Sequence, residues 1–397
     1  MRKFFLKWAG ACLLVVFCVG AGTKVLQASQ PIVIGVPLPL TGQLSAFGEI
    51  MKNAFGMAVE HINDNGGIHG RQLLLKFADD QGDVDKVVSA YKQMVEEGAV
   101  MLVGGYASDA TYKMAGLAES DDLPFLICTA SADKITRRGW KNIYRLNPPI
   151  SEYTRGLEDF WVKNFKPESM AILHEDSMFG TSGALQMAEF CREQAIEVHT
   201  QLGYDRTKLT PTLLRSLLAP LTNNPPDVIY MISYLEDALM LVKGIRALGI
   251  DAMLCGGGGG FTLETFAQQA GNDADLLLTA ALWSEHVESL QDDTFFKRYV
   301  ERYGHAPDYH GAEAYSAMMV AAEALKRVKM FRPQEIRESL DNISMKTPFG
   351  PVKFYSYEGF ERQNSLQTLV LQIINGEYET VWPPDKASSN FILPARN

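Results

Sequence analysis

Apolar residues cluster in short β-branched runs at 32–36, 73–77, 100–103, 125–127, 170–173, 228–232 and 252–255. Between them lie longer segments with helical spacing of apolar positions, at 47–63, 84–97, 182–193 and 235–248. Strands alternating with helices at this interval predict parallel sheets covered by helices on both faces. Asn65-Gly66-Gly67 ends the first helix where a left-handed conformation is wanted. Pro148-Pro149, after Tyr144-Arg145-Leu146, marks a crossover out of the first sheet. The last third is less regular, with helices expected at 313–328 and 333–340 and strands at 352–355 and 366–374. The fold class is therefore α/β, with two doubly wound parallel-sheet lobes. Ligands of such sheets bind beyond the carboxyl ends of the strands.

The amino terminus stands apart from this pattern. Arg2, Lys3 and Lys7 precede an apolar stretch over 8–21 that is too short to span a bilayer, and a polar segment follows. Residues 1–28 read as an export signal ending at Ala28. Cys18 follows Phe17 rather than a small residue, which argues against a lipid anchor. Removing this segment takes away four cations (Arg2, Lys3, Lys7, Lys24) and no acid, so the net charge goes from −10 to −14. An acidic exported chain is a poor partner for nucleic acid. The remaining length exceeds what one core serves, which predicts two domains. Cys128, Cys191 and Cys255 are too few for a disulfide scaffold and lack metal-ligand spacing.

Two loops carry candidate chemistry. Gly104-Gly105-Tyr106-Ala107-Ser108-Asp109-Ala110-Thr111 follows one apolar strand and opens a helix, a setting suited to holding a carboxylate. Taken alone, Ser108 reads first as an N-cap. Cys128-Thr129-Ala130-Ser131-Ala132-Asp133 follows a neighbouring strand, so the two hydroxyl-bearing loops can converge on one anionic group.

The chain resembles the leucine/isoleucine/valine-type periplasmic binding proteins of branched-chain amino-acid ABC transporters, from about Ile32 to Ile373. The likeness is carried by 34–42 (IGVPLPLTG), 62–71 (INDNGGIHGR), Ala78-Asp79-Asp80, the Ser108 loop, Thr129-Ala130-Ser131 and Phe179-Gly180. It implies a type I periplasmic binding fold with a three-strand hinge near Pro148-Pro149, Trp283 and Asn364. Lobe 1 is expected over 31–149 and 284–364, and lobe 2 over 150–283 and 365–397. It also implies a ligand carboxylate on Ser108, Thr129 and Ser131, covered by aromatic residues at Phe47, Phe179 and Tyr234, with Tyr106 in the Ser108 loop. Expected partners are a small solute, an amino acid or analogue, and a membrane permease, with the protein acting as a periplasmic monomer.

One departure bears on the ligand. The family's amino-acid binders place a Glu near 256–260 to meet the ligand ammonium, and here five glycines stand instead. A buried ammonium without a charged partner costs several kcal/mol. Either Asp109, Glu236, Asp237 or Glu285 compensates, or the ligand is an amide, a urea or an organic or aromatic carboxylate without an α-ammonium. The family's lobe-1 disulfide is also missing, with Gly82 and Ala107 in its expected positions.

Enzyme readings find no complete set. The glycine run lacks the third glycine of a dinucleotide loop, where Phe261 stands. Ser131-Ala132-Asp133-Lys134 has neither Ser-Asp-Asn nor Lys-Thr-Gly to accompany it. The seven histidines are scattered, and His305 and His310 read as surface or core residues. No cofactor and no metal are expected. A ligand-sensing regulator of the same fold is the rival of a different class, and the export signal argues against it.

Overall fold

The computed structural model describes residues 30–287 and 295–394. The expected signal at 1–28 lies outside the described residues. The first half-chain forms β1 (Ile32–Leu38), α1 (Ser45–Asp64), β2 (Leu73–Asp79), α2 (Val87–Glu96), β3 (Met101–Gly104), α3 (Ser108–Ser120), β4 (Phe125–Ile127) and β5 (Ile143–Arg145). After α4 (Ile150–Tyr153) and α5 (Arg155–Phe160), a second set repeats the pattern. It comprises β6 (Ser169–Glu175), α6 (Met178–Gln194), β7 (Glu197–Tyr204), α7 (Pro211–Asn223), β8 (Val228–Ile232), α8 (Leu235–Ala247), β9 (Met253–Gly256), α9 (Glu264–Ala270) and β10 (Leu278–Ala281). The chain then runs through α10 (Phe295–Tyr303), α11 (Tyr309–Arg327) and α12 (Pro333–Asp341). Strands β11 (Ser344–Thr347), β12 (Gly350–Lys353), β13 (Tyr355–Tyr357), β14 (Phe360–Gln363), β15 (Leu369–Ile374) and β16 (Glu377–Trp382) follow.

Two seven-stranded sheets result, ordered β13-β14-β5-β4-β3-β1-β2 and β16-β15-β10-β9-β8-β6-β7. The fold class read from the sequence is thus present, with one correction. The sheets are mixed rather than wholly parallel, because β13 runs antiparallel to β14, and β15 antiparallel to both β10 and β16. Central strands such as β3 and β8 are buried along their whole length, as continuous apolar runs demand. The edge strand β7 alternates polar and apolar residues and is half exposed. Each sheet reverses its strand order once, between β1 and β3 and between β6 and β8, and the loops after β3, β4, β6 and β8 open at those switch points. No helix among the described residues is long and apolar enough to cross a membrane.

Where the chain passes between the sheets, its segments are stitched together. Asn364 donates from its backbone N–H to the Arg145 carbonyl (2.9 Å) and from Nδ2 to the Leu146 carbonyl (3.1 Å). Gln363 Nε2 donates to the Asn147 carbonyl at 2.7 Å. Arg145 is fully buried, and its guanidinium donates to Gln363 Oε1 (2.6 Å), Thr136 Oγ1 (2.9 Å) and the carbonyls of Ala130 (3.2 Å) and Ala132 (2.8 Å). Burial pulls its pKa down to about 10. This cation therefore fixes the loop that carries Thr129 and Ser131, using neutral acceptors. Replacing it leaves four buried acceptors short of a donor. Arg145→Met is expected to lower unfolding free energy by about 2–4 kcal/mol in denaturant titration, with an unchanged slope. A loss below about 0.5 kcal/mol would show that the loop does not depend on it.

Candidate ligand-binding cleft

The loop after β3 and the loop after β4 are tied by one side chain. Ser108, the first residue of α3, accepts from the Ala132 N–H at 3.2 Å and makes no cap bond to its own helix. The N-cap alternative for Ser108 therefore fails, and its hydroxyl hydrogen remains available to another acceptor. Ser108, Thr129 and Ser131 line one cavity together with Tyr106, Tyr153, Phe179, Tyr234, Gly259, Tyr309 and His310. The space between its lining atoms, including the part open to solvent, is about 270 Å³, of which only about 20 Å³ admits the centre of a water molecule. None of the lining side chains is more than 7 % exposed, so the two sheets have closed over it.

The walls are aromatic. Tyr106, beside the first sheet, and Tyr234, beside the second, have ring centroids 5.9 Å apart, and Phe179 lies 5.6 Å from Tyr234. Phe47 is fully buried and does not line the cavity; it stacks on Tyr106 at 4.7 Å and supports it from behind. Tyr309 stacks on His310 at 3.9 Å, and its hydroxyl accepts from Tyr153 (2.5 Å) and from the Gly259 N–H (3.1 Å). His310 is buried, with Nδ1 held 2.6 Å from Asp308 Oδ2. That bond assigns the Nδ1 hydrogen to Asp308 and leaves Nε2 for other partners. Of the two placements expected for His310, the buried one holds, and the ring lines the cavity as well.

The glycine run is explained by contact distances. A Cβ at Gly256 would meet the Phe261 ring at 2.4 Å, one at Gly257 the Tyr230 hydroxyl at 2.3 Å, and one at Gly258 the Tyr153 ring at 2.6 Å. At Gly260 it would meet the Tyr234 carbonyl carbon at 2.4 Å. Only a bare backbone can approach so closely. Gly82 shows a related fit, since a Cβ there would lie 3.3 Å from the Ala107 Cβ, close to the separation of bridged cysteines. Cys128, Cys191 and Cys255 are free and buried.

None of the four candidate acids lines the cavity. Asp109 uses Oδ2 to accept from the Met178 N–H at 2.9 Å, a bond from α3 to the start of α6 that links the two halves. Glu236 is exposed. Asp237 is buried behind the wall, accepts from the Tyr204 hydroxyl at 2.6 Å, and is pushed up to about 7 chiefly by burial. Glu285 borders a larger recess of about 790 Å³ on the other side of Tyr309, which also contains Glu264, Glu377, Trp283 and Tyr378. Sequence reasoning missed Tyr153, Gly259, Tyr309 and His310 as cavity residues. Among the described residues no cluster of His, Cys, Asp and Glu could hold a metal.

Two α/β halves closed over a small polar and aromatic cavity define a two-lobed solute-binding protein. Residues 31–375 match the family model described as periplasmic binding protein, and the chain belongs to that family. Membership makes it a non-enzymatic transport component. A Leu/Ile/Val-binding protein homolog 7 of Brucella melitensis is 25% identical over 384 residues, covering 92% of this chain and 95% of the relative. The substrate-binding protein LivJ of Streptococcus pneumoniae, solved with isoleucine, superposes with TM-score 0.79 at 22% identity, covering 88% of this chain and 98% of that one. A solute-binding protein of an ABC transporter from R. palustris, solved with benzoate, superposes with TM-score 0.80 at 19% identity, covering 88% and 95%.

The Asp237 environment gives a pH test. A carboxyl held near 7 when folded and near 3.8 when unfolded binds its proton more tightly in the native state. Its contribution to stability is complete below the unfolded value and is lost as pH rises toward 7. Asp237→Asn is expected to gain on the wild type by roughly 2–4 kcal/mol between about pH 4 and pH 7.5. Parallel unfolding curves for the two proteins across that range would contradict it.

Proposed function

We propose that this chain is the periplasmic substrate-binding component of an ABC importer and that its ligand is a small, flat carboxylic acid without an α-ammonium. The observation that carries the reading is the cavity lining, which offers hydroxyls, aromatic faces and one imidazole but no carboxylate. An ammonium buried there would lack a counter-charge at a cost of several kcal/mol. A carboxylate meets the Ser108 hydroxyl, whose hydrogen is not used by the Ala132 contact, and the Ser131 hydroxyl beside it. Arg206 adds a favourable field, with its guanidinium 5.1 Å over the Tyr234 ring and bonded to Gln43 Oε1 at 2.6 Å. The rings of Tyr106, Phe179 and Tyr234 suit a planar body. The benzoate carried by the R. palustris neighbour has this chemistry.

In operation, residues 1–28 direct export and the two lobes close about the three crossings near Pro148-Pro149, Trp283 and Asn364. Lobe 1, over 31–149 and 284–364, takes the carboxylate first. Lobe 2, over 150–283 and 365–397, then covers it with Phe179 and Tyr234. Closure excludes water and strengthens the bonds inside. The permease reads the closed form at the cleft mouth, and the protein serves as a monomer.

A branched-chain amino acid is the second reading, favoured by the Leu/Ile/Val-binding description of the Brucella melitensis relative and by the isoleucine in LivJ. Calorimetric titration separates the two. Benzoate or 3,4-dihydroxybenzoate is expected to bind, with leucine and isoleucine at least about tenfold weaker, a difference of about 1.4 kcal/mol. Tighter binding of leucine would reverse the assignment. Ser108→Ala is expected to weaken the acid by about 1–3 kcal/mol.

A further inference from the structure

Glu313, on α11, has no exposed surface. Its Oε2 lies 2.7 Å from the hydroxyl of Thr129, a cavity residue, and its Oε1 is buried without a partner. The groups that act on it electrostatically are Asp308, Cys128, Tyr153 and Tyr309, none of them a cation. An ionised carboxylate with one bare oxygen and no counter-charge, fully removed from water, is among the costliest arrangements a fold can hold. A carboxylic acid in the same place leaves only a carbonyl-like oxygen unpaired. Burial accordingly pushes the Glu313 pKa well above the usual carboxylate range.

We propose that Glu313 is the specificity-positioning residue of the cavity: as an uncharged acid it donates to Thr129 Oγ1, so that the Thr129 hydroxyl gives its own hydrogen to a ligand carboxylate. The 2.7 Å contact serves that direction as well as the reverse one. Ionised, the same group would take the Thr129 hydrogen, turn a lone pair toward the ligand, and place a negative charge behind it. The proton on Glu313 thus decides whether this wall accepts an acid or demands a cation. The inference rests on the carboxylate reading above and deepens it, by naming what sets the polarity of one hydroxyl.

The test uses the mature protein, benzoate as the probe, and two variants. In the infrared difference spectrum between wild type and Glu313→Gln at about pH 7, the carbonyl stretch of a protonated carboxylic acid is expected to disappear with the substitution. Glu313→Ala is expected to weaken benzoate about tenfold, and Glu313→Gln, an uncharged donor of similar shape, to recover most of that loss relative to alanine. The band reports the proton alone; a purely structural role would leave benzoate binding the same in Glu313→Ala and Glu313→Gln. Absence of the band, or benzoate binding about tenfold tighter in Glu313→Gln than in wild type, would mean that the group is ionised and would overturn the proposal. If Glu313→Ala does not fold, the spectrum and the glutamine variant still decide. Failure of the wild type to bind any carboxylate probe ends the functional reading and this role with it, whereas benzoate binding without the band ends this role alone.

Discussion

The approach of a bare backbone to aromatic walls governs this molecule. Because a Cβ on Gly260 would stand 2.4 Å from the carbonyl carbon of Tyr234, the loop after β9 can carry no side chain there. Beside it the Gly259 N–H donates to the Tyr309 hydroxyl, and at Gly260 there is no room for a carboxylate side chain. The chemistry of the cavity follows from a steric fact about its rim.

The rest of the site is arranged to match. Ser108 is held by a peptide N–H from the neighbouring loop, and that loop is in turn held by the four bonds of Arg145. Asp109 spends its charge on the Met178 N–H across the cleft rather than on a ligand. Two acids near the cavity are buried and pushed upward, Asp237 behind Tyr204 and Glu313 behind Thr129. Arg206 lays its guanidinium over the Tyr234 ring, and Asp308 holds the cavity residue His310 at Nδ1. On the proposed reading, these features favour an anion.

Much of this was legible in the sequence, for physical reasons. Central strands such as β3 and β8 are continuous apolar runs because they are covered on both faces, and they stood out. The edge strand β7 did not, since its residues alternate and half of them face solvent, and β5 (Ile143-Tyr144-Arg145) ends in a charged residue and so lacks the unbroken apolar run that marked β4. Ser108, Thr129, Ser131, Phe179 and Tyr234 follow strand ends in order, and the structure brings all five to one cavity. Phe47 was placed one layer too close, because burial behind Tyr106 and burial against a ligand look alike in sequence. Tyr153, Tyr309 and His310 were missed because they enter the cavity from crossing segments and from α11, far away along the chain. The Asp308-x-His310 spacing was the one local hint, and it gained meaning only once the 2.6 Å contact was known.

A crystal structure of the protein grown with benzoate tests the central claim most directly. The carboxylate is expected within hydrogen-bond reach of the Ser108 and Ser131 hydroxyls, with the ring between Tyr106, Phe179 and Tyr234. A ligand bound instead in the recess beside Trp283 and Tyr378, or one whose carboxylate faces away from Ser108, would contradict it.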